Sequence, residues 1–417
     1  MTKHTSENID ITTLSNGVRV VSEAVPHVQS ISLGLWVGTG SRDEAPAIRG
    51  ISHFIEHMLF KGTQKRSAWE IADSIEARGG HLNAFTGKET TCYETRVLAE
   101  DMELSIDILT DMFRNSLHDP EEIEREKRVV IEEIKMYEDS PEEQVHDLYE
   151  QVLWKTHPLG KPIIGTEKTV SSLTRDSILE YMATFYSPER IVVSAAGNLD
   201  HDRLVKLVEN ALSDMSGKAP KRALKSAKAS GKSKRVPKRD TEQVHFCIGT
   251  AAYNKYEKER FALSILNNVL GGNMSSRLFQ EIREKRGLAY SIGSYTRTYL
   301  DAGHFCVYGG TSPETFQQVL DLTLAECEKV RTNGLTEDEL TKAKTQIRGA
   351  LVLGLEGMSS RMSRYADSLL SFDRVIPVTE VLEHYNAITH DNIAEVANKV
   401  LSTELQTLTA LGPISRV

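Results

Sequence analysis

Apolar residues recur with helical spacing between Ile51 and Leu59. Ile51, Phe54, Ile55, Met58 and Leu59 fall at i, i+3, i+4, i+7 and i+8, and Gly62 follows as a stop. Residues 50–63 (GISHFIEHMLFKGT) therefore predict a helix anchored in a core by one face. The polar positions of the same helix carry a second pattern, because His53, Glu56 and His57 stand within five residues. Positions i and i+4 lie one turn apart, so the two imidazoles can converge on one metal ion, with Glu56 beside them and not needed as a ligand. H-x-x-E-H is the inverted form of the H-E-x-x-H motif that places two histidines on zinc and a glutamate at its water. A firmly packed helix is what such a site requires, since loose ligands give no fixed coordination geometry.

Two histidines leave a zinc site short of a third protein ligand. Residues 119–138 predict a helix opened by Asp119-Pro120, with acidic residues in its first turn. Glu126 and Glu133 are seven apart on it and share a face; spacing does not choose between them. Glu121, Glu122 and Glu124 read as solvated charges.

The chain also repeats itself. Residues 71–83 align with 278–290 at a constant offset of 207, and in both an amphipathic helix ends in basic residues and glycine before giving way to a strand. Residues 95–97 and 304–308 are candidate later strands, and helices at 119–138 and 336–353 follow them. Duplication into two similar α+β domains is the simplest account, and at 417 residues the chain is long enough for two cores. The second-half counterpart of the histidine helix, near Phe261–Leu270, offers no ligands.

Charge adds a boundary. Residues 218–239 carry ten basic side chains, Lys225 among them, and no acidic ones, so the remainder stands at −19 against −9 for the whole. Rich in Ala, Ser, Gly and Lys, with Pro220 and Pro237, this stretch reads as an interdomain linker. A nucleic-acid partner is not expected, because the run has no aromatic residue to stack on bases. The acidic remainder favours cationic substrates. The expected division is 1–215, a linker at 216–239, and 240–417. Composition is that of a globular chain, and no apolar run approaches the ~20 residues of a membrane span. Cys92, Cys247, Cys306 and Cys327 form no C-x-x-C and read as reduced thiols. With no signal or transit pattern at the N-terminus, a bacterial cytoplasm is expected, a matured organellar enzyme being the alternative.

HFIEH, followed 76 residues after His57 by Glu133 in REKRVVIEEI, resembles the pitrilysin/insulinase family of inverted-motif zinc peptidases, and within it bacterial relatives of the mitochondrial processing peptidase β subunit. The resemblance runs along essentially the whole chain. It implies two similar α+β domains, each a mostly antiparallel sheet with helices packed on it, arranged as a clamshell. One Zn2+ per chain would be held by His53, His57 and Glu133, with Glu56 as general base and Glu126 orienting a ligand histidine. From the second half, Arg283 and Tyr290 would join the active site, Tyr290 donating to the developing oxyanion. Asn83, Ala84, Phe85 and Thr86 would form the edge strand on which an extended peptide docks. Glu143 and Asp147 would favour a basic residue before the cut. Peptides or unfolded polypeptides are the implied substrates and a homodimer the implied assembly. A catalytically silent structural or partner subunit is the alternative, opposed by the intact ligands, base and Arg/Tyr pair.

Overall fold

Two mixed, mostly antiparallel sheets organise the protein. The computed structural model describes residues 8–222, 224, 227–404 and 406–414. The first sheet contains β1 (Ile9–Thr13), β2 (Arg19–Ala24), β3 (Ser30–Val37), β4 (His81–Thr86), β5 (Thr91–Leu98) and β6 (Ile191–Gly197), in the order β1-β2-β6-β3-β5-β4. Only β2 and β6 pair in parallel. Alternation along β3 shows how both faces are used. Ile31, Leu33, Leu35 and Val37 enter the core shared with the helices α1 (Ile51–Leu59), α2 (Ala68–Glu76) and α3 (Met102–Asn115), while Trp36 points to the other face. The expected helix at 119–138 is present as α4 (Pro120–Glu138), and Ile123, Val130 and Ile134 set it into the same core.

The second sheet contains β7 (Ser233–Arg235), β8 (Val244–Ala251), β9 (Ala289–Thr298), β10 (Gly303–Thr311) and β11 (Thr407–Leu411), in the order β7-β11-β8-β10-β9. Here β7 and β11 are the parallel pair. Matching β2-β6-β3-β5-β4 to β7-β11-β8-β10-β9 reproduces order and direction in every pairing, so the two sheets share one topology and β1 is an addition. The strands read at 95–97 and 304–308 lie inside β5 and β10, and the helix read at 336–353 runs Glu337–Gly354. In the second copy the helix ahead of β9 is wound as a π-helix at Phe279–Glu284.

The boundary between the two compact units, Arg222 to Ala223, falls inside the run read as a linker at 216–239, and that run also carries structure. Lys225 lies outside the described residues, but much of the remainder is pinned to the protein. Arg222 donates to both Asp43 and the Gly38 and Glu89 carbonyls, Ser230 Oγ donates to the Val152 carbonyl, and residues 233–235 form β7. This stretch supplies the second sheet with the counterpart of β2. Its Lys234 and Arg235 are exposed on an edge strand, where charge discourages pairing with other chains.

The compact units are also discontinuous in sequence. The first takes the chain through Ile134, then Pro162–Arg222 and Val352–Pro377. The second takes Lys135–Lys161, Ala223–Leu351 and the chain from Val378 onward. This differs from the contiguous division expected from composition. In the first unit the helix Met358–Phe372 covers the second face of the first sheet. Met362, Tyr365, Ala366 and Leu369 bury Val21, Trp36, Cys92, Val192 and Ala196. Tyr365 donates to Glu23 of β2, and Arg361 pairs with the same carboxylate. In the second unit α5 (Pro141–Leu153) plays the same part, its Val145, Leu148, Tyr149 and Val152 packing with Cys247, Cys306 and Leu411. All four cysteines are free and buried. Among the described residues no helix is long and apolar enough to cross a membrane.

Because the first sheet borrows its second cover from residues 352–377, a fragment ending at residue 222 leaves an apolar sheet face bare. Such a fragment is expected to bind a hydrophobic dye and aggregate; a soluble fragment with a cooperative melt would contradict this.

Candidate active site

The site begins with the seating of α1. Gly50, ahead of its first turn, has φ +94°, and a Cβ there would come within 2.6 Å of the Ile164 carbonyl oxygen, so glycine alone fits the entry. The orphan amides of that turn are satisfied by a carboxylate from the preceding loop. Glu44 Oε2 accepts from Gly50 N at 2.8 Å and Oε1 from Ser52 N at 2.9 Å. Glu44 is buried, and that burial pushes its carboxyl up to about 7 even though both amide donors pull the other way. Ile51, Phe54, Ile55, Met58 and Leu59 are buried as the periodicity predicts, and His53, Glu56 and His57 emerge half-buried on the remaining face.

Helix α4 meets that face. Glu126, with a side chain only 3% exposed, accepts from His57 Nδ1 at 2.8 Å. Its other oxygen lies 2.6 Å from Lys61 Nζ. Despite the opposing effect of burial, these two partners hold Glu126 below the usual carboxylate range, so it is the acceptor and His57 Nδ1 carries the proton. In the neutral ring the lone pair is thereby on His57 Nε2. Two turns along α4 from Glu126 stands Glu133, whose Oε2 is 3.7 Å from His57 Nε2 and whose Oε1 is 3.9 Å from His53 Nε2. The two imidazole rings are 4.6 Å apart, centre to centre.

These donors converge without bonding one another, since 3.7–3.9 Å exceeds hydrogen-bond reach. Zinc bonds of about 2 Å in a tetrahedron put donors roughly 3.3 Å apart, so a small contraction seats an ion among them. Among the described residues, His53, His57 and Glu133 are the one group of three or more such side chains able to share a metal, their ligand atoms all lying within 4.8 Å of one another. Two imidazoles and a carboxylate form the three-ligand donor set of a catalytic zinc. Burial, then the neighbouring His57, lowers His53 to about 4, which keeps it in the neutral form a ligand needs. Desolvation alone would lower His57 too, but Glu126, Glu133 and Glu56 carry it upward. Burial raises both Glu56 and Glu133. Three carboxylates around two imidazoles favour a cation.

The edge strand runs beside α1. Among the described residues β4 pairs on one side only, with β5, with Asn83, Ala84, Phe85 and Thr86 opposite Glu94, Tyr93, Cys92 and Thr91. Phe85 stacks edge-on against Trp36 at 5.3 Å. Thr86 donates from Oγ1 to Glu56 Oε2 at 2.5 Å.

The remaining residues singled out from sequence lie in the second unit. Tyr290 is the second residue of β9 and is 77% exposed. The Arg283 guanidinium lies 4.8 Å from the Phe279 ring centre and 5.2 Å from that of Tyr290, so the Arg/Tyr pair is a physical contact. Glu143 and Asp147 are exposed one turn apart on α5, opposite its packed face. Sequence reasoning missed Glu44 and Lys61. Lys61 had a signal, standing four residues after His57 on the line of the same helix; Glu44, in an irregular loop, had none.

Fold and site together define a zinc metallopeptidase of the inverted-motif kind. The chain belongs to the insulinase family, peptidase family M16: the family model "Insulinase (Peptidase family M16)" matches residues 19–167 and "Peptidase M16 inactive domain" matches residues 172–347. A protein of Bacillus subtilis named as an uncharacterized zinc protease is 43% identical over 401 residues, covering 96% of this chain and 97% of its own. One of Streptomyces coelicolor with the same description is 42% identical over 411 residues, covering 97% and 89%. A crystal structure of a protease from Helicobacter pylori superposes with a TM-score of 0.90 at 23% identity, covering 97% of this chain and 99% of that one, and shares the fold.

Glu44 generates a pH prediction. Its carboxyl lies higher in the folded protein than its ordinary 4.5, so the proton stabilises the fold; that contribution is complete below about 4.5 and is lost as pH rises to about 7. In metal-free protein, the stability advantage of wild type over Glu44→Gln should shrink across this window, by roughly 3 kcal/mol at most. Urea denaturation at several pH values measures it; a pH-independent difference would contradict the assignment.

Proposed function

We propose that this zinc metallopeptidase is an endopeptidase acting on peptides and unfolded segments, with Glu56 as its general base. The observation that carries the reading is the convergence of His53, His57 and Glu133 beside Glu56, next to a strand whose outer edge is unpaired. Zinc held by those three side chains would supply a Lewis acid for the peptide carbonyl and would lower the pKa of a water towards ~7. Glu56 takes the proton of that water and returns it to the departing amine. The raised Glu56 carboxyl suits both tasks, being basic enough to accept and acidic enough to give the proton back.

The substrate docks along Asn83–Thr86 as an added strand, by backbone hydrogen bonds that read no side chain. That mode requires an extended chain, so folded proteins are poor substrates. In this reading Tyr290 donates to the oxyanion and Arg283 steadies Tyr290 or the substrate backbone. Their mutual contact supports a joint role. Glu143 and Asp147 place two exposed carboxylates one turn apart, a spacing that suits a guanidinium or ammonium, and the reading assigns them a preference for a basic residue one or two positions before the scissile bond.

Mass-spectrometric mapping of cuts in a mixed peptide library tests the whole reading. Wild type should cut internal bonds after basic residues, and Glu56→Gln should lose at least about a hundredfold in rate. The Glu143→Gln/Asp147→Asn double variant should keep cleaving neutral peptides while losing the basic preference. Equal activity in Glu56→Gln refutes the mechanism, and an unchanged preference in the double variant removes the specificity assignment.

A further inference from the structure

Docking on β4 uses backbone groups and leaves the side chain of Thr86 without a task. Along β4 the side chains alternate. His81, Asn83 and Phe85 are exposed, while Leu82, Ala84 and Thr86 are partly buried on the other face, where Leu82 and Ala84 pack on the core that includes α1. Thr86 thus faces the helix that carries the proton-transfer carboxylate. Its Oγ1 donates to Glu56 Oε2 at 2.5 Å, and among the described residues no other side chain hydrogen-bonds to Glu56. The backbone of Thr86 is fixed by pairing with Thr91, and the side chain is β-branched, with χ1 restricted. A glutamate has the opposite character: its terminal torsion is broad and two-fold, so an untethered carboxylate presents either oxygen in many orientations.

We propose that Thr86 is a positioning residue for Glu56: its hydroxyl holds Oε2 so that Oε1 is the oxygen presented to the water. The hydroxyl keeps its own proton throughout. The proton that moves is the water's, passing to Glu56 Oε1 as the oxygen–carbon bond forms and on to the amine nitrogen as the carbon–nitrogen bond breaks. Thr86 takes no part in either transfer. A charge-assisted hydrogen bond from a rigid donor fixes geometry that the side chain alone does not fix. One residue of β4 therefore serves two ends, its backbone lying in the docking edge and its side chain aiming the base.

This inference rests on the reading of Glu56 as the base, and the test separates the two. Thr86→Val keeps the shape and removes the donor; Thr86→Ser restores the donor. Thr86→Val is expected to lower kcat about tenfold or more with KM within about twofold, since the lost interaction acts on the base and not on binding. Thr86→Ser should return kcat to within about threefold of wild type. Zinc content and melting temperature should match wild type, and crystals of Thr86→Val should show the Glu56 carboxylate rotated away or spread over several orientations. Where the valine variant fails to fold or to hold zinc, Thr86→Ala carries the same expectations. Glu56→Gln measured in parallel tells the failures apart. An inactive Glu56→Gln together with wild-type kcat in Thr86→Val overturns the inference alone. Full activity in Glu56→Gln overturns the underlying reading. A serine variant as impaired as valine, or a loss confined to KM, also overturns the role of the hydroxyl.

Discussion

The hydrogen bond from His57 Nδ1 to Glu126 joins the two helices on which every metal-facing side chain sits. It selects the tautomer of His57 and turns its other nitrogen outward. It also sets the register of α4 against α1, which brings Glu133, seven residues further on, beside both imidazoles. A carboxylate as deeply buried as Glu126 is costly unless satisfied, and here one oxygen takes the imidazole while the other takes the Lys61 ammonium. The packing below keeps this arrangement in place. The apolar stripe of α1 sits in the first core, and Glu44 closes the helix's open end.

The two units each carry a sheet of one topology. The strand order and the single parallel pair recur, yet the helix equivalent to α1, Glu259–Leu270, carries no histidine, and among the described residues the one group able to share a metal lies in the first copy. The second copy retains the helix-to-strand corner and places Arg283 against Tyr290 there. Each sheet has a cover drawn from the other half of the sequence, Met358–Phe372 on the first and Pro141–Leu153 on the second. The helix carrying Glu126 and Glu133 thus runs on directly into a segment that belongs to the second unit.

What was legible in the chain was local and periodic. The α1 stripe, the Asp-Pro start of α4, the helix-to-strand repeat and the strands within β5 and β10 follow from spacing and appear where spacing put them. The choice between Glu126 and Glu133 was not legible, because both lie on one face and differ only in what stands opposite them. The exchanged covers were also hidden, since an amphipathic helix announces that it will pack but not on which sheet. The short strand inside the basic run was hidden for a related reason. A three-residue strand of Ser, Lys and Arg has no apolar position to show alternation, and pairing with β11, over 170 residues away, makes it a strand. Glu44 and Lys61 act through distance and burial, which composition does not encode.

The account stands or falls on where the metal sits. Anomalous diffraction at the zinc edge, on crystals of the protein purified without chelator, locates it directly. The account predicts a single strong peak per chain about 2.0–2.2 Å from His53 Nε2, His57 Nε2 and an oxygen of Glu133, with Glu126 bonded to His57 and not to the ion. A peak ligated by Glu126 in place of Glu133, or a zinc-loaded protein with its peak elsewhere, would contradict it.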